Sequence, residues 1–285
     1  MKRPKCLKTY PKDFEKIYPL LTLFNSPYTK EEWRSIFDYD WQGKQDFIGF
    51  HLETATEVVG FIGLIFSQRV VEGKMKLFCN ISSFIVKETH RASSVLLLQP
   101  LRTLKDVIFT GFAPIKASYQ LMTMLGFTTL EKQVALIPTL QTLYAAPSRH
   151  FYQDNAILSY VSGELYRIVA DHLSTRVASI LFEEQGRQLL IIYKIHKHKM
   201  FKVSVPKVRV IYLSDPSFFE KFAVKILKTF SRLFGLTTIL YVDSRFLSSQ
   251  SKLWNYRKNV DPCRIKYGTI ANDCIDELYS ENVLL

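Results

Sequence analysis

Cysteine is scarce in this chain, and long apolar runs are missing. The four cysteines, Cys6, Cys79, Cys263 and Cys274, are scattered over 285 residues with no metal-ligand spacing among them. That pattern argues against a disulfide-built scaffold and offers no metal motif. It predicts reduced thiols and a cytoplasmic location. Unbroken apolar stretches stay well under the roughly 18 residues that a spanning helix needs, so no membrane span is expected. The N-terminus, Met1-Lys2-Arg3-Pro4-Lys5-Cys6, is basic, but no apolar core follows it and no secretory signal is read there. Low-complexity sequence is absent too. With 47% hydrophobic residues against 22% charged, the chain can build real cores rather than stay disordered.

Acids are missing from one stretch in particular. The formal charge is +12, spread over both halves of the chain. Between Gln185 and Ser214, however, stand Arg187, Lys194, Lys197, Lys199, Lys202, Lys207 and Arg209, with His196 and His198 and no carboxylate. Such a face attracts polyanions: nucleic acid, anionic lipid, CoA phosphates or an acidic polysaccharide. A solvated strand-loop-strand face is the plain alternative. No nucleic-acid motif with interleaved aromatics accompanies the charge, so no specific nucleic-acid partner is expected.

The pattern of apolar residues then gives the elements. Phe14, Ile17, Tyr18 and Leu21 fall at helical spacing within 10–24. Thr29 with Glu32 three residues on, ahead of Trp33, Ile36 and Phe37, reads as the capped start of a second helix. An apolar strand, 58–66, contains Gly60 and Gly63, which suggest a bend or a close backbone approach. A polar loop at Glu72-Gly73-Lys74 leads to a second strand, 77–86, and a further strand, 107–112, precedes a helical pattern ending in Leu125-Gly126-Phe127. A similar order recurs later. Helix candidates at 158–166 and 169–173 precede strands 188–195 and 202–213, a helix over 216–234 and a strand at 237–242. The fold class is therefore α/β, with two similar domains, 1–145 and 146–285, each a mixed, mostly antiparallel twisted sheet flanked by helices.

The stretch from Val58 to Leu130 resembles the GCN5-related N-acetyltransferase superfamily. The resemblance rests on the strand Val58-Val59-Gly60-Phe61-Ile62-Gly63, on His90-Arg91-Ala92-Ser93-Ser94-Val95 ahead of a helical run, and on the closing Leu-Gly-Phe before a strand. It also resembles a branch of that superfamily known only as acyltransferases, some of them associated with polysaccharide production. What it implies is a site for acetyl-CoA or another acyl-CoA as co-substrate, with Ile85, Val86, Arg91, Ala92, Ser93, Ser94 and Val95 as the binding residues. The pyrophosphate would meet the loop and the start of its helix, where unpaired N–H groups favour anions. Leu96 departs from the pattern: it lies where the last glycine of the loop would be, and a side chain there would crowd the phosphates. The family's carboxylate base has no counterpart between Lys76 and Lys87. Asn80 is the substitute for positioning a water or an acceptor hydroxyl, with Ser82 or Cys79 as a relay and Cys79 alternatively a covalent nucleophile. The family's acid tyrosine is replaced by Met122, which leaves Tyr119, nearly one turn earlier, as the candidate acid. His90 is a candidate base or phosphate contact.

In the second half, Asp215 stands where the phosphate loop would begin and would repel pyrophosphate, so no CoA is expected there. Asp243-Ser244-Arg245, with Trp254 and Tyr256, are candidates for lining an acceptor groove. The resulting expectation is acyl transfer to an amine or hydroxyl acceptor, a small molecule or carbohydrate. A GNAT-fold binding module without turnover and a polyanion binder are the alternatives. The number of aromatics is compatible with a homodimer.

Overall fold

A computed structural model describes residues 3–200, 203–248, 253 and 255–285. The chain divides into two compact units, Met1–Leu130 with Arg264–Cys274 and Tyr279–Leu285, and Glu131–Cys263 with Ile275–Leu278. The division is therefore not the single cut after residue 145 that the sequence suggested. The reason lies in strand pairing, described below.

The chain begins with β1 (Lys5–Thr9), α1 (Phe14–Leu21), α2 (Lys30–Asp38), β2 (Gly49–Glu53), β3 (Val58–Val71) and β4 (Lys74–Val86). A series of short helical turns from Glu88 to Thr103 includes α3 (Val95–Leu98); β5 (Val107–Gly111), α4 (Lys116–Met124) and β6 (Thr128–Pro138) follow. Next come β7 (Phe151–Gln153), α5 (Gly163–His172), β8 (Ala178–Glu184), β9 (Arg187–Met200), β10 (Val203–Leu213), α6 (Pro216–Phe234), β11 (Ile239–Asp243), β12 (Tyr256–Tyr267) and α7 (Glu281–Leu284). One helix, α5, stands where two were read, because 154–159 is a 3-10 turn and the helix starts after Ser162. The capped start at Thr29 is as expected: the Glu32 N–H donates to Thr29 Oγ1 at 3.2 Å, and the Thr29 N–H donates to the Glu32 carboxylate at 2.6 Å.

In the first unit β1, β2, β3 and β4 pair antiparallel in that order, β4 pairs parallel with β5, and β5 pairs antiparallel with the end of β12. Every residue from Val58 to Ser67 is buried. Helices cover both faces of β3, which is why its sequence is a continuous apolar run rather than an alternation. Phe37 of α2 stacks on Phe61 at 5.8 Å. On the other face Leu64, Phe66, Leu97, Leu98, Phe109 and Met122 share one cluster. A Cβ on Gly60 would stand 3.1–3.3 Å from Leu52, Val86 and Leu97, so the glycine permits this close packing.

The second unit repeats the order: β7, β8, β9 and β10 antiparallel, β10 parallel to β11, and β11 antiparallel to β6. Phe218, Phe219, Ile226, Leu227 and Phe230 of α6 cover one face of this sheet, over Ile191, Tyr193, Val208 and Leu240. Each sheet is thus closed by a strand whose chain neighbours lie in the other unit. β6 follows α4 yet pairs with β11, and β12 follows β11 yet pairs with β5. Among the described residues no helix is long and apolar enough to cross a membrane.

Candidate active site

The parallel ladder between β4 and β5 runs from Leu77↔Val107 to Asn80↔Thr110 and stops there, while β4 continues to Val86. Beyond that point β4 is held by β3, with a bulge between Gly63↔Ser82 and Phe61↔Ile85. Ser83, inside the bulge, has φ +49°. An extra residue of this kind bends a strand and re-aims its side chains. Where the ladder ends lies a cavity of about 70 Å³, lined by Ser82, Ser83, Gly111, Ser118, Met122 and Glu281 among others. The Ser82 and Ser83 hydroxyls are 3.3 Å apart. Gly63 makes room for them, since a Cβ there would be 2.8 Å from Ser82 Oγ.

Glu281 is the residue that the sequence did not reveal. It opens α7, whose N-cap Ser280 accepts from the Asn282 N–H at 3.2 Å. Burial of Val283 and Leu284 holds the short helix in place, and the Leu284 carbonyl accepts from Ser35 Oγ at 3.1 Å. Asn80 completes the anchorage: its Oδ1 accepts from the Glu281 N–H at 3.2 Å, and its amide donates to Thr110 O at 3.3 Å. Asn80 thus ties α7 to β4 and β5, and it is not among the residues lining the cavity.

The other expected residues are distributed differently. Cys79 is buried in the apolar cluster, and burial pushes its thiol well above the usual thiol range, which disfavours a nucleophilic thiolate. On α4 the cavity is met by Ile115, Ser118 and Met122. Tyr119 stands roughly 100° round the helix from Ser118 and packs against the cluster instead. Met122 belongs to that same cluster and also lines the cavity, which Tyr119 does not. Ile85 and Val86 are half-buried and pair with Phe61 and Gly60. The loop from Glu88 to Ser93 is a 3-10 helix, and α3 has four residues. Arg91 is 73% exposed, 3.6 Å from Glu88, and His90 Nδ1 is 3.0 Å from Thr89 Oγ1. Ala92 and Val95 are exposed and Ser93 and Ser94 half-exposed, while the Ser94 N–H donates to Arg91 O at 3.1 Å. Leu96 turns inward onto the apolar cluster, so it does not crowd the loop as its position in the motif suggested. None of His90, Arg91 or the two serines of the loop lines the cavity.

In the second unit Asp215 caps α6, accepting from the Phe218 N–H at 2.9 Å and pairing with Arg187. Asp243 and Arg245 pair at 2.9 Å, and Glu131 accepts from the Arg245 N–H at 2.9 Å. These residues form a buried polar knot rather than an open wall. Tyr256 is exposed, and Trp254 lies outside the described residues, as does Lys202. Among the described residues no His, Cys, Asp and Glu group is arranged to hold a metal ion.

The chain has the GCN5-related N-acetyltransferase fold. A conserved protein of unknown function from Enterococcus faecalis, described as a probable N-acyltransferase, matches with a TM-score of 0.59 and 10% identity, over 93% of this chain and 72% of that one. A GCN5-related N-acetyltransferase from Anabaena variabilis matches with a TM-score of 0.59 and 13% identity over the same shares. Saccharomyces cerevisiae N-myristoyltransferase with bound myristoyl-CoA matches with a TM-score of 0.50 and 12% identity, over 100% of this chain and 85% of that one. No protein-family model matches the chain, and no curated protein matches it.

Proposed function

We propose that the chain is an acyl-CoA-dependent acyltransferase that moves a short acyl group, acetyl being the best fit, onto an amine or hydroxyl acceptor such as a sugar. The observation that carries this reading is the cavity at the end of the β4–β5 ladder, where two serine hydroxyls and the Glu281 residue meet. A volume of about 70 Å³ suits an acetyl group better than a long chain.

Acyl-CoA supplies a thioester, whose carbonyl carbon accepts the nucleophile and whose thiolate departs. The Glu281 carboxylate takes the proton from the acceptor nitrogen or oxygen as the new bond to the acyl carbon forms. Ser82 and Ser83 hydroxyls donate to the carbonyl oxygen as it gains negative charge. The proton held by Glu281 returns to the departing thiolate, so Glu281 serves as base and then acid. Asn80 positions Glu281 through its backbone. Arg91, with Ser93 and Ser94, meets the pyrophosphate from solvent by charge and hydroxyl donation; Ile85 and Val86 flank the pantetheine arm.

The test is calorimetric titration with acetyl-CoA, followed by release of free CoA in the presence of a panel of amines and amino sugars. Glu281→Gln is expected to leave acetyl-CoA binding unchanged and to lower kcat by about 100-fold or more, the usual weight of general acid–base catalysis. Arg91→Glu is expected to weaken binding. Absence of acetyl-CoA binding by the folded wild type would refute the reading. Binding without turnover on any acceptor would favour the second reading, a GNAT-fold binding module, for which the Met122 substitution and the short α3 speak.

A further inference from the structure

The acid-free stretch of the second unit has a use that acyl transfer in the first does not require. Strand alternation puts Lys194 and His196 of β9, Val205, Lys207 and Arg209 of β10, and Ile239 and Tyr241 of β11 on one face. The register pairs Lys194 with Arg209, His196 with Lys207, and Arg209 with Tyr241. The opposite face, with Tyr193, Val208 and Leu240, is the one that α6 buries. On the basic face lies a cavity of about 460 Å³ with apolar walls from Leu136, Val205, Ile239 and Tyr241 and two cations, Lys207 and Lys258. Its size falls in the range of small-molecule sites, roughly 300–1,000 Å³.

We propose that this cavity binds a small anion carried on a flat apolar body, an aryl or comparable ester of phosphate or sulfate. Lys207 and Lys258 meet the anion and the Leu136, Ile239 and Tyr241 wall takes the apolar part. Lys207 Nζ stands 3.9 Å over the Tyr241 ring, so charge and aromatic surface are already adjacent. Two carboxylates bear on the face: Asp261 lines the cavity, and Glu277 pairs with Arg209 at 2.6 Å. Burial, then Arg176 and Arg209, pushes the Lys194 ammonium down to about 8, and His196 is lowered by burial and by Lys194, Arg209 and Lys207. Cations that depress one another gain from an added anion. A polymer such as nucleic acid would need a track of exposed cations, whereas Lys207 and Lys258 converge on a walled cavity.

Titration with phenyl phosphate tests this, with inorganic phosphate, phenol and duplex DNA as the comparison arms. The expected result is one-site binding of phenyl phosphate, weaker binding of inorganic phosphate and none of phenol. Lys207→Glu should weaken phenyl phosphate about tenfold or more, the worth of one charge-assisted contact. Lys258→Glu, at an exposed strand position, should do the same and guards against a folding defect in the first variant. No phenyl phosphate binding, binding unchanged in both variants, or a preference for duplex DNA with steep salt dependence would each overturn the proposal. Acetyl-CoA binding in the first unit is read separately and stands or falls independently.

Discussion

The two units solve the same topology with different economy at the parallel strand pair. In the first, β4 and β5 are joined by short helical turns, their ladder stops after Asn80↔Thr110, and a bulge at Ser83 opens a cavity. In the second, β10 and β11 are joined by α6, a helix of 19 residues whose start is filled by its own capping carboxylate, Asp215. A helix start that might have met an anion is thereby satisfied internally. Shared strand order therefore does not carry a shared site. The cavity of about 70 Å³ in the first unit lies where the ladder ends, whereas the cavity of about 460 Å³ in the second lies on the sheet face opposite α6.

The contrast can be broken deliberately. The largest effect belongs to the long helix: Phe230→Ala, at a fully buried ring packed near Phe182 and Tyr193, should cost about 3–5 kcal/mol in urea unfolding. A loss under 1 kcal/mol would mean that α6 is not what holds the second sheet. A smaller effect on stability, with a larger one on function, is expected at Gly63. Its replacement by Ala forces a contact with Ser82 Oγ, costing about 1–3 kcal/mol and weakening acetyl-CoA binding. Binding at wild-type strength would separate the bulge from the cofactor site. The smallest change is Asp215→Ala, which removes a cap worth about 1 kcal/mol. It is expected to create no acetyl-CoA site in the second unit, and a second equivalent of bound CoA would show that the cap alone had closed one.

Local patterns were legible in the sequence because local physics sets them. The Thr29 capping box, the α6 span and the Gly126 turn, where φ is +94°, all depend on residues within a few positions of one another. Gly63 announced a close approach, and Ser82 lines the cavity where the ladder parts. Glu281 was invisible because Asn80, its neighbour in space, stands 201 positions away in the chain, and a reading confined to β4 could not reach it. Tyr119 shares the apolar cluster with Met122 without lining the cavity, a distinction that spacing along a helix does not fix. The domain boundary was missed for a related reason: strand partners are chosen by edge geometry, and nothing near residue 130 marks that β6 will pair with β11.

That exchange of closing strands has a consequence for how the molecule comes into being. As the chain leaves the ribosome, β5 emerges well before its partner in β12 and before the Glu281 helix. The first unit must wait with an open edge and an incomplete cavity until then. An unfinished polypeptide stalled before Arg264 would hold most of the first sheet, and its cavity would lack the Glu281 wall.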